Sequence, residues 1–359
     1  MLRHRALKQD ADGVMSDKTV TIHTVAKEAG VSVATVSRVI RDHPDVSEKT
    51  RAKVQEVIKR LKYRPSAVAR ALVSNRSNTL GLMVADIDNP YFSQLAKSVE
   101  AAAYAVGIRT ILCNTADDPD RELSYLDELL AHRVDGLIQA SHYTDSPLID
   151  TAMENEVNVV AVNRPVFGHQ IDSVVLDNLA GAQMATQHLI DLGHTRIAHI
   201  EGPTYATNVP ERRAGYDQAL KKNALEIDDE LIYLGSWNRS TPIAAVEEFM
   251  NLDNPPTAIF AADDMFAMVA YGAYLEKGLK VPDDVSIVGF DGTAIANLGM
   301  LNLTTISQDI DYVGTRAVEI LVERKATGSI QAAGDTPVIT EVLTPKLTVR
   351  RSTGPPPTT

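Results

Sequence analysis

Between Thr21 and Ile40 apolar residues recur three and four apart in two short runs, Ile22, Val25, Ala26, Ala29 and then Val36, Val39, Ile40, with Gly30 between them. That period lays one apolar stripe on each of two consecutive helices. Thr21 and Ser32 stand where each helix would start, and an oxygen there can accept an orphan N–H of the first turn. Gly30 stands where the first helix would close in a left-handed residue. The spacing therefore predicts a helix-turn-helix. The outer face of its second helix shows Val33, Ala34, Ser37, Arg38 and Arg41, small at the N-terminal end, where a backbone can approach base edges, and charged further along. A third helix is predicted from Ser47 as N-cap, with Val54, Ile58 and Leu61 closing a small three-helix core. Tyr63-Arg64-Pro65 breaks that helix, and Ser66 to Leu72 offers a cap followed by one or two turns, too few to be stable alone in water.

From Thr79 the pattern changes to apolar runs alternating with amphipathic helices, the signature of parallel sheets built from βαβ crossovers. Strands are predicted at Leu80 to Ala85, Arg109 to Cys113, Gly136 to Ala140, Val157 to Val162, Arg196 to Ile200, Ala258 to Ala261 and Val285 to Phe290. These are too many for one open sheet of usual size, so two lobes are expected, with a ligand cleft at the carboxyl ends of the strands. The fold class is an all-α head on an α/β two-lobed core. Residues 1–18 are polar and unpatterned and expected to be disordered, with Met15 an alternative start; the tail 352–359, STGPPPTT, is expected to be unstructured as well.

Charge sharpens the division. Residues 18–78 carry 13 Lys and Arg against 5 Asp and Glu, a net of +8, while residues 79–359 carry 19 against 39, a net of −20. A basic module of this size has the footprint of phosphate contact, and an acidic body is repelled by a duplex, which turns the head toward it. The single cysteine, Cys113, excludes an intramolecular disulfide framework and fits a reducing compartment. No run of eighteen apolar residues exists for a membrane span and the N-terminus lacks the apolar stretch of a secretory signal, so a cytoplasmic, nucleoid-associated protein with no membrane partner is expected. Walker, GxGxxG and GxSxG motifs are absent, and the nine histidines show no metal-ligand spacing. No catalysis, no cofactor and no metal are expected.

The stretches TIHTVAKEAGVSVATVSRVI, VSEKTRAKV, YRPSAVARAL, LGLMVADIDNPYF, HLIDLGHTRIAHIEG, ERRAGY, SIVGFD and LTTISQD stand in the order and spacing of a LacI/GalR-type transcriptional regulator, which the chain resembles from about Thr21 to Arg350. The resemblance implies a helix-turn-helix domain at 19–65, a hinge helix and linker at 66–78, and a periplasmic-binding-protein-like effector and dimerisation core at 79–351. Its lobes would be about 79–177 with 307–336, and 178–306 with 337–351. It also implies a homodimer that binds a pseudo-palindromic double-stranded DNA operator and a small-molecule effector. Val33, Ala34 and Arg38 match the family's base-reading positions, Thr21, Thr35 and Ser37 fall near phosphates, Ser32 and Arg41 belong to the same DNA-binding surface, and Ala69 and Leu72 match the hinge helix, whose leucine wedges into a base step. Tyr91, Phe92, Asn163, Arg164, Arg212, Trp237, Asp263 and Asp291 match positions that line the effector cleft.

Two departures bear on the ligand. Asp263-Asp264 stands where the family usually has Asn-Asp, so a carboxylate that only accepts replaces an amide that can also donate. Purine-sensing relatives hold the base with an additional arginine, and Ala206 stands there instead, which favours a sugar or sugar-like polyol over a nucleoside or purine. Trp237 suits the face of a sugar ring. Relatives that form tetramers add a C-terminal heptad helix that this chain does not show, so a dimer is expected. Beside the repressor reading stand an activator or dual regulator on the same scaffold and a cytoplasmic solute-binding protein or enzyme of the same core fold.

Overall fold

The computed structural model describes residues 20–40, 42–63, 77–141, 147–164, 166, 168–299, 301–331 and 337–358. It falls into two compact units that part between positions 75 and 76.

In the first unit α1 (Ile22–Ala29), α2 (Val33–Ile40) and α3 (Glu48–Arg60) enclose Val25, Ala26, Ala29, Val36, Val39, Val54 and Val57. Burying one valine is worth about 1.5 to 3 kcal/mol, so a core of seven small side chains leaves little margin. The ends are therefore tied by caps. Thr24 N–H donates to Thr21 Oγ1 at 3.4 Å, Thr35 N–H to Ser32 Oγ at 3.1 Å and Thr50 N–H to Ser47 Oγ at 3.4 Å. Gly30 takes the left-handed conformation (φ 61°, ψ 39°) that ends α1. On α3 the buried positions are Val54 and Val57, with Ile58 and Leu61 only half-buried beside them.

The second unit holds two six-stranded sheets. The first lobe's sheet consists of β1 (Thr79–Val84), β2 (Arg109–Asn114), β3 (Leu137–Gln139), β4 (Val159–Val162), β5 (Asp172–Leu176) and β11 (Thr340–Leu343), all parallel, in the order β11-β5-β4-β3-β1-β2. The second lobe's sheet contains β6 (Ile197–Glu201), β7 (Ile232–Leu234), β8 (Ala258–Ala261), β9 (Ser286–Asp291), β10 (Thr304–Ser307) and β12 (Lys346–Thr348), in the order β12-β10-β9-β8-β6-β7; only β12 runs antiparallel. The seven strands read from the sequence are present. Of the five it did not mark, β7, β11 and β12 lie at sheet edges, β5 lies inside the first sheet, and β10 is polar: there Thr304 and Thr305 are fully buried because their hydroxyls have partners in Thr353 and Asp264. Around the sheets lie α4 (Pro90–Ala105), α5 (Pro119–Ala131), α6 (Leu148–Glu154), α7 (Asn178–Asp191), α8 (Asn208–Lys222), α9 (Ser240–Met250), α10 (Asp264–Glu276) and α11 (Ile310–Thr327). Among the described residues no helix is long and apolar enough to cross a membrane.

Two expectations are corrected. The stretch 337–351 does not belong wholly to the second lobe, because β11 pairs with β5 in the first. A buried ion pair fixes that return: Arg324 donates twice to Asp172 at 2.8 and 2.6 Å and once to Pro337 O at 2.7 Å, while Ile339 N–H donates to Asp172 Oδ1 at 2.8 Å. Nor is the start of the tail unstructured. Ser352 is fully buried, its Oγ donating to Ile287 O at 2.6 Å and accepting from Thr304 N–H at 2.8 Å. Gly354 is held by Ser286, with His194 Nε2 donating to its carbonyl at 2.9 Å. Composition alone could not show these hydrogen bonds, which tie the tail to β9.

Candidate functional site

The head offers a surface. Along α2, Ala34 and Arg38 are exposed while Val36 and Val39 on the opposite face are buried, and Ser32 is exposed at its start. Val33, Thr35 and Ser37 are half-buried along the flanks, and Thr21 is exposed at the start of α1. Ser32 Oγ and Thr35 Oγ1 are 2.9 Å apart, so both hydroxyls belong to the cap. Two other arginines are paired within the head: Arg51 binds the Asp42 carboxylate and, at 2.8 Å, His43 O, and Arg60 binds Glu28 at 2.8 Å on the surface. Arg38 stays turned to solvent. Arg41, Ala69 and Leu72 lie outside the described residues.

The core offers a cavity of about 270 Å³, near the lower end of the range for small-molecule pockets. All eight core residues singled out in the sequence line it: Tyr91, Phe92, Asn163, Arg164, Arg212, Trp237, Asp263 and Asp291. They come from both lobes, and most follow the carboxyl end of a strand: Asn163 and Arg164 after β4, Trp237 after β7, Asp263 after β8, Asp291 as the last residue of β9. Parallel sheets point strand ends and helix N-termini at the same crevice. Asn163 (φ 67°) and Asp291 (φ 108°) have left-handed backbone there, a local strain of about 1 to 3 kcal/mol each for a residue with a Cβ.

At the floor, Arg212 is 3 % exposed and lies 3.7 Å above the Phe290 ring. It donates to Asn178 Oδ1 at 3.0 Å and to Ala262 O, and stands 3.6 Å from Asp291 Oδ1. Burial raises the Asp291 carboxyl well above the usual carboxylate range, while Arg212 pulls it back. Gln308 Nε2 donates to Asp291 at 3.1 Å. Across the cavity Arg164 pairs with Asp117 at 3.4 Å. Trp237 packs against Phe266, with ring centroids 5.2 Å apart, and a Cβ at Gly202 would collide with the indole, so only glycine leaves room for it.

Three residues of this lining carry a buried polar atom with no hydrogen-bond partner among the described residues: Tyr91 Oη, Trp237 Nε1 and Asn208 Oδ1. Burial pushes the Tyr91 phenol up, Asp291 adding to the shift and Arg212 opposing it, so the group stays a neutral hydroxyl. A buried polar group left unpaired costs about 1 to 3 kcal/mol, which an added ligand or water can recover. Asn208 was not among the residues picked from the sequence. Its spacing of four from Arg212 on one helix is the signal that could have found it. Asn89, also in the lining, was missed too; it precedes Pro90 and caps α4.

The comparisons agree with this geometry. The family described as bacterial regulatory proteins, lacI family, matches residues 21–66, and that described as periplasmic binding proteins and sugar binding domain of LacI family matches residues 77–334. The chain is 38% identical over 341 residues to the HTH-type transcriptional regulator DegA of Bacillus subtilis, covering 93% of this chain and 98% of that protein. A solved lac repressor dimer bound to operator and the anti-inducer ONPF superposes with a TM-score of 0.81 at 28% identity, covering 94% of this chain and 100% of that one. A CelR–cellobiose complex matches with a TM-score of 0.69 at 30% identity over 93% and 99% of the two chains. Head, two-lobed core and cleft together make this chain a DNA-binding transcriptional regulator of the LacI family.

Proposed function

We propose that the chain is a repressor that binds a pseudo-palindromic operator as a homodimer and is controlled by a small sugar or sugar-like polyol. The observation that carries the ligand reading is the cavity floor. Arg212, Asp291, Asn208 and Tyr91 offer buried donors and acceptors, three lining residues carry a polar atom without a partner among the described residues, and Trp237 supplies an aromatic wall. That mixture of ring face and hydroxyl-reading groups suits a polyol. The CelR relative is seen with cellobiose, a sugar. Ala206, at the place of the purine-holding arginine, is fully buried and does not line the cavity, which weighs against a purine or nucleoside.

The DNA reading rests on the exposed face of α2, with Val33, Ala34 and Arg38 facing base edges and Thr21, Ser32, Thr35 and Ser37 near phosphates; the hinge residues Ala69 and Leu72 and the basic Arg41 complete it. Such a protein works in the cytoplasm, where the chromosome is, and turns over no substrate. Two steps test the proposal: a footprint of the purified protein on its own upstream region, then a thermal-shift screen of monosaccharides and nucleosides at millimolar concentration. The expected result is a two-fold symmetric footprint that a monosaccharide hit strengthens or abolishes. A stabilising nucleoside with no responding sugar would overturn the ligand class, and no protected site on any DNA would overturn the regulator.

A further inference from the structure

Asn89 and Asp263 stand on opposite lobes, and each caps a helix whose N-terminus faces the cleft. Asn89 Oδ1 accepts from Tyr91 N–H at 3.0 Å at the start of α4, and Asp263 Oδ1 accepts from Phe266 N–H at 2.7 Å at the start of α10. The atom left over on each side chain meets the other: Asn89 Nδ2 donates to Asp263 Oδ2 at 2.9 Å. Asp263 is 4 % exposed, so this hydrogen bond to a carboxylate is sheltered from water and belongs to the stronger kind. Close by, Ala294 N–H of the second lobe donates to Gln94 Oε1 on α4 at 3.3 Å.

With asparagine at 89, the chemistry works only with a carboxylate at 263. The cap on α10 needs one acceptor atom, and the link to Asn89 needs another, because the Asn89 carbonyl is already committed to Tyr91. An asparagine there would offer one acceptor and one donor. With its oxygen on Phe266 N–H its amide nitrogen would face the amide nitrogen of Asn89, and turning either side chain over would give up a cap.

We propose that Asn89 and Asp263 form a latch that holds the two lobes closed without an effector and so pre-forms the cleft. A latched cleft admits effectors that fit the closed cavity and binds them more tightly, since the binding-competent arrangement is already populated. Asp263 is then a positioning residue for the effector.

The test needs neither effector nor operator, so it stands or falls separately from the proposed function. Trp237 is the only tryptophan and lines the cleft, so acrylamide quenching of the full chain reads how open the cleft is. Asp263→Asn and Asn89→Ser should each lower the closed-to-open ratio by about ten-fold or more, the worth of one charge-assisted hydrogen bond, and raise the quenching constant. Serine keeps the cap on α4 but is too short to reach across. The exchange Asn89→Asp with Asp263→Asn restores one acceptor for each cap and one donor between them, and should bring quenching back to the starting level. If Asp263→Asn shifts Trp237 emission toward that of unfolded protein, Asn89→Ser and the exchange decide. Quenching unchanged in Asn89→Ser, or an exchange that quenches as strongly as the single variants, would overturn the latch.

Discussion

In the head, seven small buried side chains hold α2 so that Ala34 and Arg38 face outward and take no part in the packing. In the core the relation is inverted: Arg212, Asp263, Asp291 and Tyr91 are all buried, they hydrogen-bond or couple electrically to one another's neighbours, and they carry both the cleft and part of its stability. A convex reading surface separates function from folding, whereas a concave buried site merges them. Substitutions at Ala34 or Arg38 should therefore cost affinity alone, whereas those at the buried cleft residues should cost affinity and stability together.

The largest expected effect is that of Arg212→Ala, which leaves Asp291 buried without its counter-charge and should destabilise the core by about 3 to 5 kcal/mol in urea unfolding. A loss under about 1 kcal/mol would break the comparison, because the site would then be as separable as the head's surface. Next comes pH. Burial raises the Asp264 carboxyl from 3.8 to about 7, so between those values the folded core keeps a proton that the unfolded chain has released. Raising the pH from about 4 to 7 should then lower core stability by up to about 4 kcal/mol, and Asp264→Asn should flatten that slope. A variant with the same slope would assign it to other groups.

In the head, Arg38→Ala should weaken operator binding by about 1 to 3 kcal/mol and relax preference at one base pair, while leaving the melting temperature in place. Equal losses on operator and random DNA would remove its base-reading role. The smallest effect is expected for Ser32→Ala, which removes the cap on α2 and should cost about 1 kcal/mol of head stability, read by hydrogen exchange at Thr35 N–H.

What the sequence disclosed follows the same division. The head was readable residue by residue, because caps, the left-handed Gly30 and the apolar stripes are local signals whose partners lie three or four positions away. In the core only the alternation of strands and helices was local. The eight cleft residues come from separate segments and were placed by family resemblance, since no periodicity joins Tyr91 to Asp291. Asn89 escaped notice because its partner Asp263 is 174 positions away, and Ser352 because a polar, proline-rich tail gives no sign of the hydrogen bonds that bury it. The buried threonines of β10 were hidden for the same reason: Asp264 makes them core residues.

The central claim is that cleft and head form one device, in which ligand bound in the core changes the hold on DNA. The direct measurement is operator affinity by fluorescence anisotropy across a titration of the sugar found by thermal shift, in the unaltered chain and in Asp291→Asn, whose amide tolerates the positive φ at that position. The account predicts that operator Kd moves at least several-fold with ligand in the unaltered chain. It predicts no movement in Asp291→Asn, with ligand-free Kd within a few-fold of the original. An operator Kd indifferent to saturating ligand in the unaltered chain, or a shift that survives intact in Asp291→Asn, would contradict it.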